Sequence, residues 1–120
     1  LPKPNHKIPI LVGGFSKPAI RRAAQHDGWV SDLHSLEELK ALIKKIKQER
    51  QEKNRTGEYK IIAFSCWDAF SADGFKKMQE LGVTTITTYP WMLYGVMNEA
   101  PLQEKLDGLK RFSDEIINKF

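Results

Sequence analysis

The sequence contains a single cysteine, Cys66, which excludes an intrachain disulfide bond. A lone cysteine also argues against a structural zinc site, and the three histidines share no metal-ligand spacing, so we predict no bound metal. No apolar stretch has the length of a membrane span, and no signal-peptide pattern is visible. These absences predict a protein of the reducing cytoplasm that makes no membrane contact.

The excess of basic charge is small. The formal net charge is +4, and most of the excess lies between Lys40 and Lys60. Because that stretch is typical of one helix and its exit, a solvated helix face accounts for the charge, and no base-stacking motif accompanies it. We therefore predict a small phosphate-bearing ligand and no nucleic acid as partner.

The length of 120 residues allows one compact domain, about half of the ~250 residues of a complete (β/α)8 barrel. The hydrophobic content of 41% and charged content of 28% are typical of globular domains. The first seven residues contain no initiator Met and lead directly into an apolar run, as an interior connection would. We therefore interpret residues 1–120 as a single domain from a longer chain.

Four short apolar runs alternate with four helix-like stretches, which is the pattern of repeated βα units. The predicted strands are residues 8–12, 28–31, 59–66 and 84–88. These runs suit parallel strands, since polar and apolar residues do not alternate along them. The chain is therefore predicted to be an α/β protein with a parallel sheet.

The predicted helices have clear start signals. They begin near Ser16, after the Ser35 capping box, near Ser71 and near Pro101, and Gly82 is a stop signal for the third. The last helix carries an apolar stripe that we expect to be buried: Leu102, Leu106, Leu109, Phe112, Ile116 and Phe120.

A free four-stranded sheet would leave an apolar face and two unpaired edges in water. This favours a half of a TIM (β/α)8 barrel, completed by a missing half-barrel or by a second copy of the chain. A small doubly wound domain is the alternative. It requires helices on both sheet faces, and an acidic cluster after the first strand is missing.

The strongest candidate site is a strand followed by two glycines and a capped helix start. Gly13 and Gly14 allow close backbone approach, and the amides of Phe15, Ser16 and Lys17 point from the positive end of the helix. Ligands gather at the carboxyl ends of parallel strands. A phosphate cradle and a plain tight turn both fit this pattern, while the P-loop and dinucleotide fingerprints are absent.

The run VGGFSKPAIRRAA from Val12 to Ala24, followed by DGW at Asp27 to Trp29, resembles the signature of the bacterial luciferase-like monooxygenase family. The order of elements is also similar to that family's strands five to eight, with an aromatic Tyr-Pro-Trp segment and a final Leu-rich helix. The resemblance implies the C-terminal half of a TIM barrel, from a flavin- or deazaflavin-dependent oxidoreductase.

The resemblance further implies FMN or the deazaflavin coenzyme F-420 as cofactor. Its phosphate would be held by the amides around Gly13 and Gly14, with a contribution from Ser31 after the next strand. No catalytic acid or base can be assigned, because the family's other contacts come from strands one to four. The alternative function is a non-catalytic half-barrel that self-associates or completes another chain, with or without phosphate binding.

Several other residues have a structural explanation beside a functional one. Arg21 and Arg22 would add positive potential to a phosphate site, or would pair with acids. Asp32 would repel phosphate, so it is interpreted as a cap near Ser35 or as solvent-facing. Trp29 is interpreted as a structural aromatic side chain.

The remaining candidates lie on the later loops. Cys66 would need His34 as a base to act as a nucleophile, and an inert buried thiol is the other interpretation. Solvated or capping roles are expected for all three histidines. Four side chains near the end of the last predicted strand have two equally good interpretations, as the lining of an apolar pocket or as an aromatic lid packed over the barrel rim. They are Tyr89, Trp91, Met92 and Tyr94.

Overall fold

The computed structural model describes residues 2–120. Within them, four β-strands alternate with four α-helices: β1 Leu11–Gly13, α1 Lys17–Gln25, β2 Gly28–Val30, α2 Leu36–Glu52, β3 Lys60–Phe64, α3 Ala72–Glu80, β4 Thr85–Thr87 and α4 Leu102–Glu115. Short 3-10 segments cover Pro90–Tyr94 and Ile117–Lys119. The alternation of strands and helices agrees with the βα pattern of the sequence.

The four strands form one parallel sheet in the order β1-β2-β3-β4. In the register, Trp29 of β2 lies between Val12 of β1 and Ile61 of β3, and Ala63 lies opposite Ile86 of β4. Because consecutive strands are neighbours and all run the same way, their carboxyl ends share one edge of the sheet. The loops that follow β1, β2 and β3 therefore lie side by side at that edge.

The starts of α1, α2 and α3 follow local capping chemistry, as the sequence predicts, whereas α4 begins after Pro101 without a side-chain cap. The Ser16 hydroxyl accepts a hydrogen bond from the Ala19 amide, and the Ser71 hydroxyl accepts one from the Gly74 amide at 3.0 Å. At α2 both bonds of the capping box between Ser35 and Glu38 are present. These side chains satisfy amides that the first helical turn leaves without partners.

The core lies between the helices and one face of the sheet. That face carries Trp29, Ile61 and Ala63, which are at most 3% exposed. All four helices contribute buried side chains to the same cluster, including Ile20, Ile43, Met78 and Phe112. The alternate strand residues Val30, Ile62 and Phe64 are only partly buried. This arrangement also differs from the doubly wound alternative, which requires helices on both faces.

The packing face of α4 differs from the predicted apolar stripe. Phe112 and Ile116 are each 7% exposed, but most of the stripe is not buried: Leu102 is 71%, Leu106 46%, Leu109 40% and Phe120 55% exposed. The helix instead places Gly108 against Trp91 of the 3-10 segment, where an added Cβ would lie 2.8 Å from the Trp91 Cβ. The contact between Trp91 and Gly108 therefore sets the buried face of α4. The apolar periodicity of α4 does not encode this contact.

The prediction that the chain is the C-terminal half of a TIM (β/α)8 barrel is wrong. The chain forms a small α/β domain with an open sheet, in which β1 and β4 are the edge strands and each pairs on one side only. Strands β1, β2 and β4 have only three residues each. The βα pattern specifies parallel pairing of consecutive strands, a property that open sheets and barrels share. Barrel closure depends on strand number, tilt and stagger, which the pattern does not specify.

Over residues 2–120, no helix combines the length and the apolarity that crossing a membrane requires.

Candidate functional site

The β1–α1 turn, residues 13–17, is held by a side chain from the neighbouring strand. Gly14 has a φ of +99°, a left-handed conformation that side chains disfavour. Its carbonyl oxygen accepts a hydrogen bond of 2.8 Å from the indole Nε1 of Trp29. Since Trp29 is 0% exposed, its environment agrees with the structural interpretation, and its indole N–H links the core to the turn.

The amides at the start of α1 are open. Within the described part of the chain, no hydrogen bond uses the N–H groups of Phe15, Ser16 or Lys17. The Phe15 and Lys17 side chains are exposed. A Cβ added at Gly14 would lie 3.1 Å from the Ala19 Cβ, so the turn is closely packed where it meets the helix. The result is a row of unbonded donors at the positive end of a nine-residue helix.

Gly13 and Ser31, the other two predicted cofactor contacts, lie within the sheet end. Gly13 pairs with Val30, and an added Cβ would meet only the Val30 carbonyl oxygen, at 3.9 Å. Ser31 is 4% exposed, and its hydroxyl accepts a hydrogen bond of 3.2 Å from the Phe64 amide. The Ser31 hydroxyl therefore joins β2 to β3, with its own proton still available to donate.

His34 is buried against the turn, contrary to the solvated or capping role expected from the sequence. It is 8% exposed, and its ring packs edge-on against Phe15 with 5.2 Å between centroids. Its Nδ1 lies 3.8 Å from a carboxylate oxygen of Glu38. Its Nε2 is buried and has no hydrogen-bond partner among residues 2–120. No local pattern around His34 predicts this burial.

The N-terminus of α2 is capped from a distant loop. Asp32, interpreted from the sequence as a cap near Ser35 or as solvent-facing, is exposed, and its carboxylate accepts a hydrogen bond of 2.8 Å from the amide of its neighbour Leu33. The Leu36 amide donates to the carboxylate of Asp68 at 2.8 Å. Because Asp68 lies 32 residues further along the chain, local sequence patterns could not have identified it.

An apolar cavity of about 460 Å³ opens at the same edge of the sheet, beyond β2, β3 and β4. Its apolar walls are Leu33, Phe64, Cys66, Trp67, Phe70, Tyr89 and Met92, and its polar groups come from Asp32, Ser65, Thr88 and Asn98. Of the predicted aromatic set, only Tyr89 and Met92 line it. Trp91 packs on α4 through Gly108, and Tyr94 lies under the Arg111 guanidinium, 4.2 Å from its ring centroid.

Cys66 has the properties of an inert thiol. It is 1% exposed, and burial, together with the negative charges of Asp68 and Glu38, raises its pKa to about 11. The thiol is therefore protonated at neutral pH, whereas a nucleophilic cysteine needs a lowered pKa. This environment favours the structural interpretation over a nucleophile paired with His34.

Arg21 is engaged in an ion pair. Its guanidinium lies 3.7 Å from a carboxylate oxygen of Glu49 on α2, as the pairing interpretation expects. In residues 2–120, no three histidine, cysteine or acidic side chains are grouped as metal ligands.

Comparisons with known proteins reveal relatives but no fold template. The chain is 37% identical over 119 residues to an uncharacterized protein of Mycobacterium bovis and, equally, to uncharacterized proteins of Mycobacterium tuberculosis strains CDC 1551 and H37Rv. The match covers 98% of this chain and 41% of each relative, so the chain spans about two-fifths of their length. No protein-family model matches the chain. No solved structure matches it either, so no structural neighbour carries the barrel assignment.

Proposed function

We propose that this chain forms the cofactor-phosphate-binding part of a flavin- or deazaflavin-dependent oxidoreductase similar to the luciferase-like monooxygenases. The proposed cofactor is FMN or coenzyme F-420. The observation that carries the proposal is the row of unbonded amides at Phe15, Ser16 and Lys17, directly after the left-handed Gly14. Backbone donors at a helix N-terminus are a general solution for binding phosphate.

The residues present suit a phosphate group. The turn contributes N–H donors and the ammonium of Lys17, and it carries no carboxylate. The Ser31 hydroxyl, which accepts from the Phe64 amide, can donate its proton to a phosphate oxygen. The apolar cavity at the same edge has the size and lining of a site for a planar ring.

In this proposal the cofactor supplies the redox chemistry, hydride or electron transfer, when it is bound. The residues of this chain bind the phosphate and orient the ring. We assign no catalytic acid or base, because the pKa of Cys66 is raised to about 11 and the chain spans only two-fifths of its relatives. A longer polypeptide or a second copy is proposed to complete the site, and the lone cysteine favours the cytoplasm.

The test compares Gly14→Val with Gly57→Val. Gly57 has nearly the same φ, +98°, but no atom lies within 4 Å of its added Cβ, so it reproduces the backbone strain away from the site. Binding of FMN and of phosphate-free riboflavin is measured by NMR on the isotopically labelled chain. Losing two charge-assisted amide bonds at ~1.5 to 3 kcal/mol each should weaken FMN binding by about two to four decades in the Gly14 variant.

Riboflavin binding should hardly change in either variant, and Gly57→Val should bind FMN as the parent does. Equal weakening of both ligands would make Gly14 a structural turn residue and would contradict the phosphate site. So would a folded Gly14 variant with unchanged FMN affinity.

A second candidate function is a non-catalytic association module. Exposed apolar side chains favour the association module. Ile8 is 62% and Ile10 is 52% exposed, and several apolar residues of α4 are also exposed. The visible absorption spectrum and the mass of the purified chain separate the two candidates. A bound chromophore supports the cofactor site, whereas self-association without a chromophore or FMN affinity supports the association module.

A further inference from the structure

His34 is the most unusual polar residue at the edge of the sheet that carries the β1–α1 turn. Across the described residues, only two buried side-chain nitrogen or oxygen atoms lack a partner, the Nε2 of His34 and the hydroxyl of Tyr94. An unpaired buried polar group costs about 1 to 3 kcal/mol, and native proteins leave few of them. Tyr94 lies on the 3-10 segment beside α4, so His34 is the unpaired group near the open amides.

Three contacts hold His34 in position, two through its ring and one through its backbone carbonyl. Its ring packs against Phe15, whose amide is the first of the open donors. Its Nδ1 faces the Glu38 carboxylate at 3.8 Å. The His34 carbonyl oxygen accepts a hydrogen bond of 3.4 Å from the Trp67 amide, which ties this loop to the one after β3. His34 is thus held beside the β1–α1 turn and tied to the loop after β3, with one ring nitrogen unused.

We infer that His34 is a further ligand residue of the β1–α1 site and that its Nε2–H donates a hydrogen bond to an oxygen of the bound phosphate. This inference rests on the proposed function. Glu38 lies on the other side of the ring, with a carboxylate oxygen 3.8 Å from Nδ1, so Nε2 is the ring nitrogen left for the ligand. The ligand chemistry is a phosphate oxyanion, either inorganic phosphate or the phosphate group of a cofactor.

The first experiment measures binding with His34→Phe and His34→Gln. Phe keeps the aromatic contact with Phe15 and removes the donor, whereas Gln retains an N–H donor. Loss of one hydrogen bond to a charged group predicts FMN binding weakened about 10- to 100-fold by Phe, with partial recovery by Gln. Riboflavin binding should be unchanged. His26→Phe is the matched control, because His26 lies at the opposite end of α1.

The outcomes separate this inference from the proposed function. If Gly14→Val weakens FMN binding but folded His34→Phe does not, the inference about His34 is wrong and the phosphate site stands. If neither variant weakens FMN binding, the proposed function itself fails. Inorganic phosphate and FMN are titrated separately, and weakening with both identifies the phosphate group as the ligand of His34.

A second measurement avoids substitution altogether. The side-chain nitrogen resonances of His34 are followed in the unmodified chain as inorganic phosphate or FMN is added, with His6 and His26 as internal references. A shift of the His34 Nε2 resonance, together with the amides of Phe15, Ser16 and Lys17, supports the inference. Amide shifts without any response at His34 would overturn it, even if the variants do not fold.

Discussion

At the scale of single residues, the β1–α1 turn depends on Trp29 as well as on its glycines. The indole donates to the Gly14 carbonyl at 2.8 Å, and the fully buried ring belongs to the core cluster. One side chain therefore contributes both to packing and to the conformation of the candidate site. Its loss should affect stability and the conformation of the turn together.

We predict that Trp29→Phe destabilises the chain by roughly 2 to 4 kcal/mol, from the lost hydrogen bond and the cavity left by the smaller ring. Urea denaturation followed by circular dichroism measures the change in the free energy of unfolding. Trp67→Phe is the matched control, because Trp67 is 65% exposed and should change stability by less than about 0.5 kcal/mol. Equal effects at the two positions would show that the Trp29 hydrogen bond and burial are not decisive.

The buried Cys66 and the partly buried Tyr59 predict a loss of stability at alkaline pH. Burial raises the pKa of Cys66 from 9.0 to about 11 and that of Tyr59 from 10.0 to about 12. At a pH between the ordinary pKa of each group and its raised pKa, the unfolded chain has released the proton that the folded chain retains. The free energy of unfolding should therefore be unaffected by these groups below about pH 9 and should fall as pH rises through 9 to 12.

Urea midpoints measured across this pH range check the prediction, and Cys66→Ala should make the alkaline decline shallower. Tyr59 also donates a hydrogen bond of 2.8 Å to the Ala23 carbonyl, so Tyr59→Phe would change stability at all pH values and is a poorer probe. A Cys66→Ala variant with the same alkaline decline as the parent would argue against the thiol as a contributor.

At the scale of elements, α2 shows how local and distant residues share one helix start. Ser35 and Glu38 form the capping box that the sequence predicts, while Asp68 satisfies the Leu36 amide from another loop. The capping box encodes where the helix begins. The Asp68 bond, which only the tertiary fold supplies, fixes how the loop after β3 sits against it.

We predict that Ser35→Ala and Asp68→Ala each lower the free energy of unfolding by about 1 kcal/mol, since each leaves an amide of the first turn without its partner. Asp107→Ala is the control, because its carboxylate accepts only from the Gln103 side chain on the exposed part of α4. Chemical denaturation of the three variants gives the comparison. If Asp68→Ala behaves like the Asp107 control, the distant cap does not contribute to stability.

At the scale of the whole molecule, the helices lie against one face of an open sheet and much apolar surface is left exposed. On α4 alone, Leu102, Leu106 and Leu109 are 40% exposed or more. Large apolar side chains exposed on one helix favour contact with another polypeptide. We therefore expect the isolated chain to associate.

Sedimentation velocity at micromolar concentration should show a mass above the monomer that falls on dilution. Leu106→Glu should shift the distribution toward monomer, because it places a charge in the apolar surface. Gln103→Glu adds the same charge to the same helix at a polar position and should leave association unchanged. A stable monomer at all concentrations would contradict this expectation.

The order of elements and the helix starts could be predicted from the sequence, because their causes are local. Ser16, Ser35 and Ser71 cap helices through bonds to amides three residues away. The parallel pairing of consecutive strands follows from short apolar runs separated by helices. The Gly14 turn was identifiable for the same reason, since a left-handed backbone there requires glycine.

Other features were decided by contacts between residues far apart in the chain. The packing of Trp91 on Gly108 sets the buried face of α4. Asp68 supplies the second cap of α2, and Trp29 donates the hydrogen bond to the Gly14 carbonyl. The open sheet in place of the predicted half-barrel belongs to the same class, because closure depends on the geometry of the whole sheet. Local patterns determine which elements form, whereas the burial of His34 and the neighbouring cavity arise only when separate loops meet at one edge.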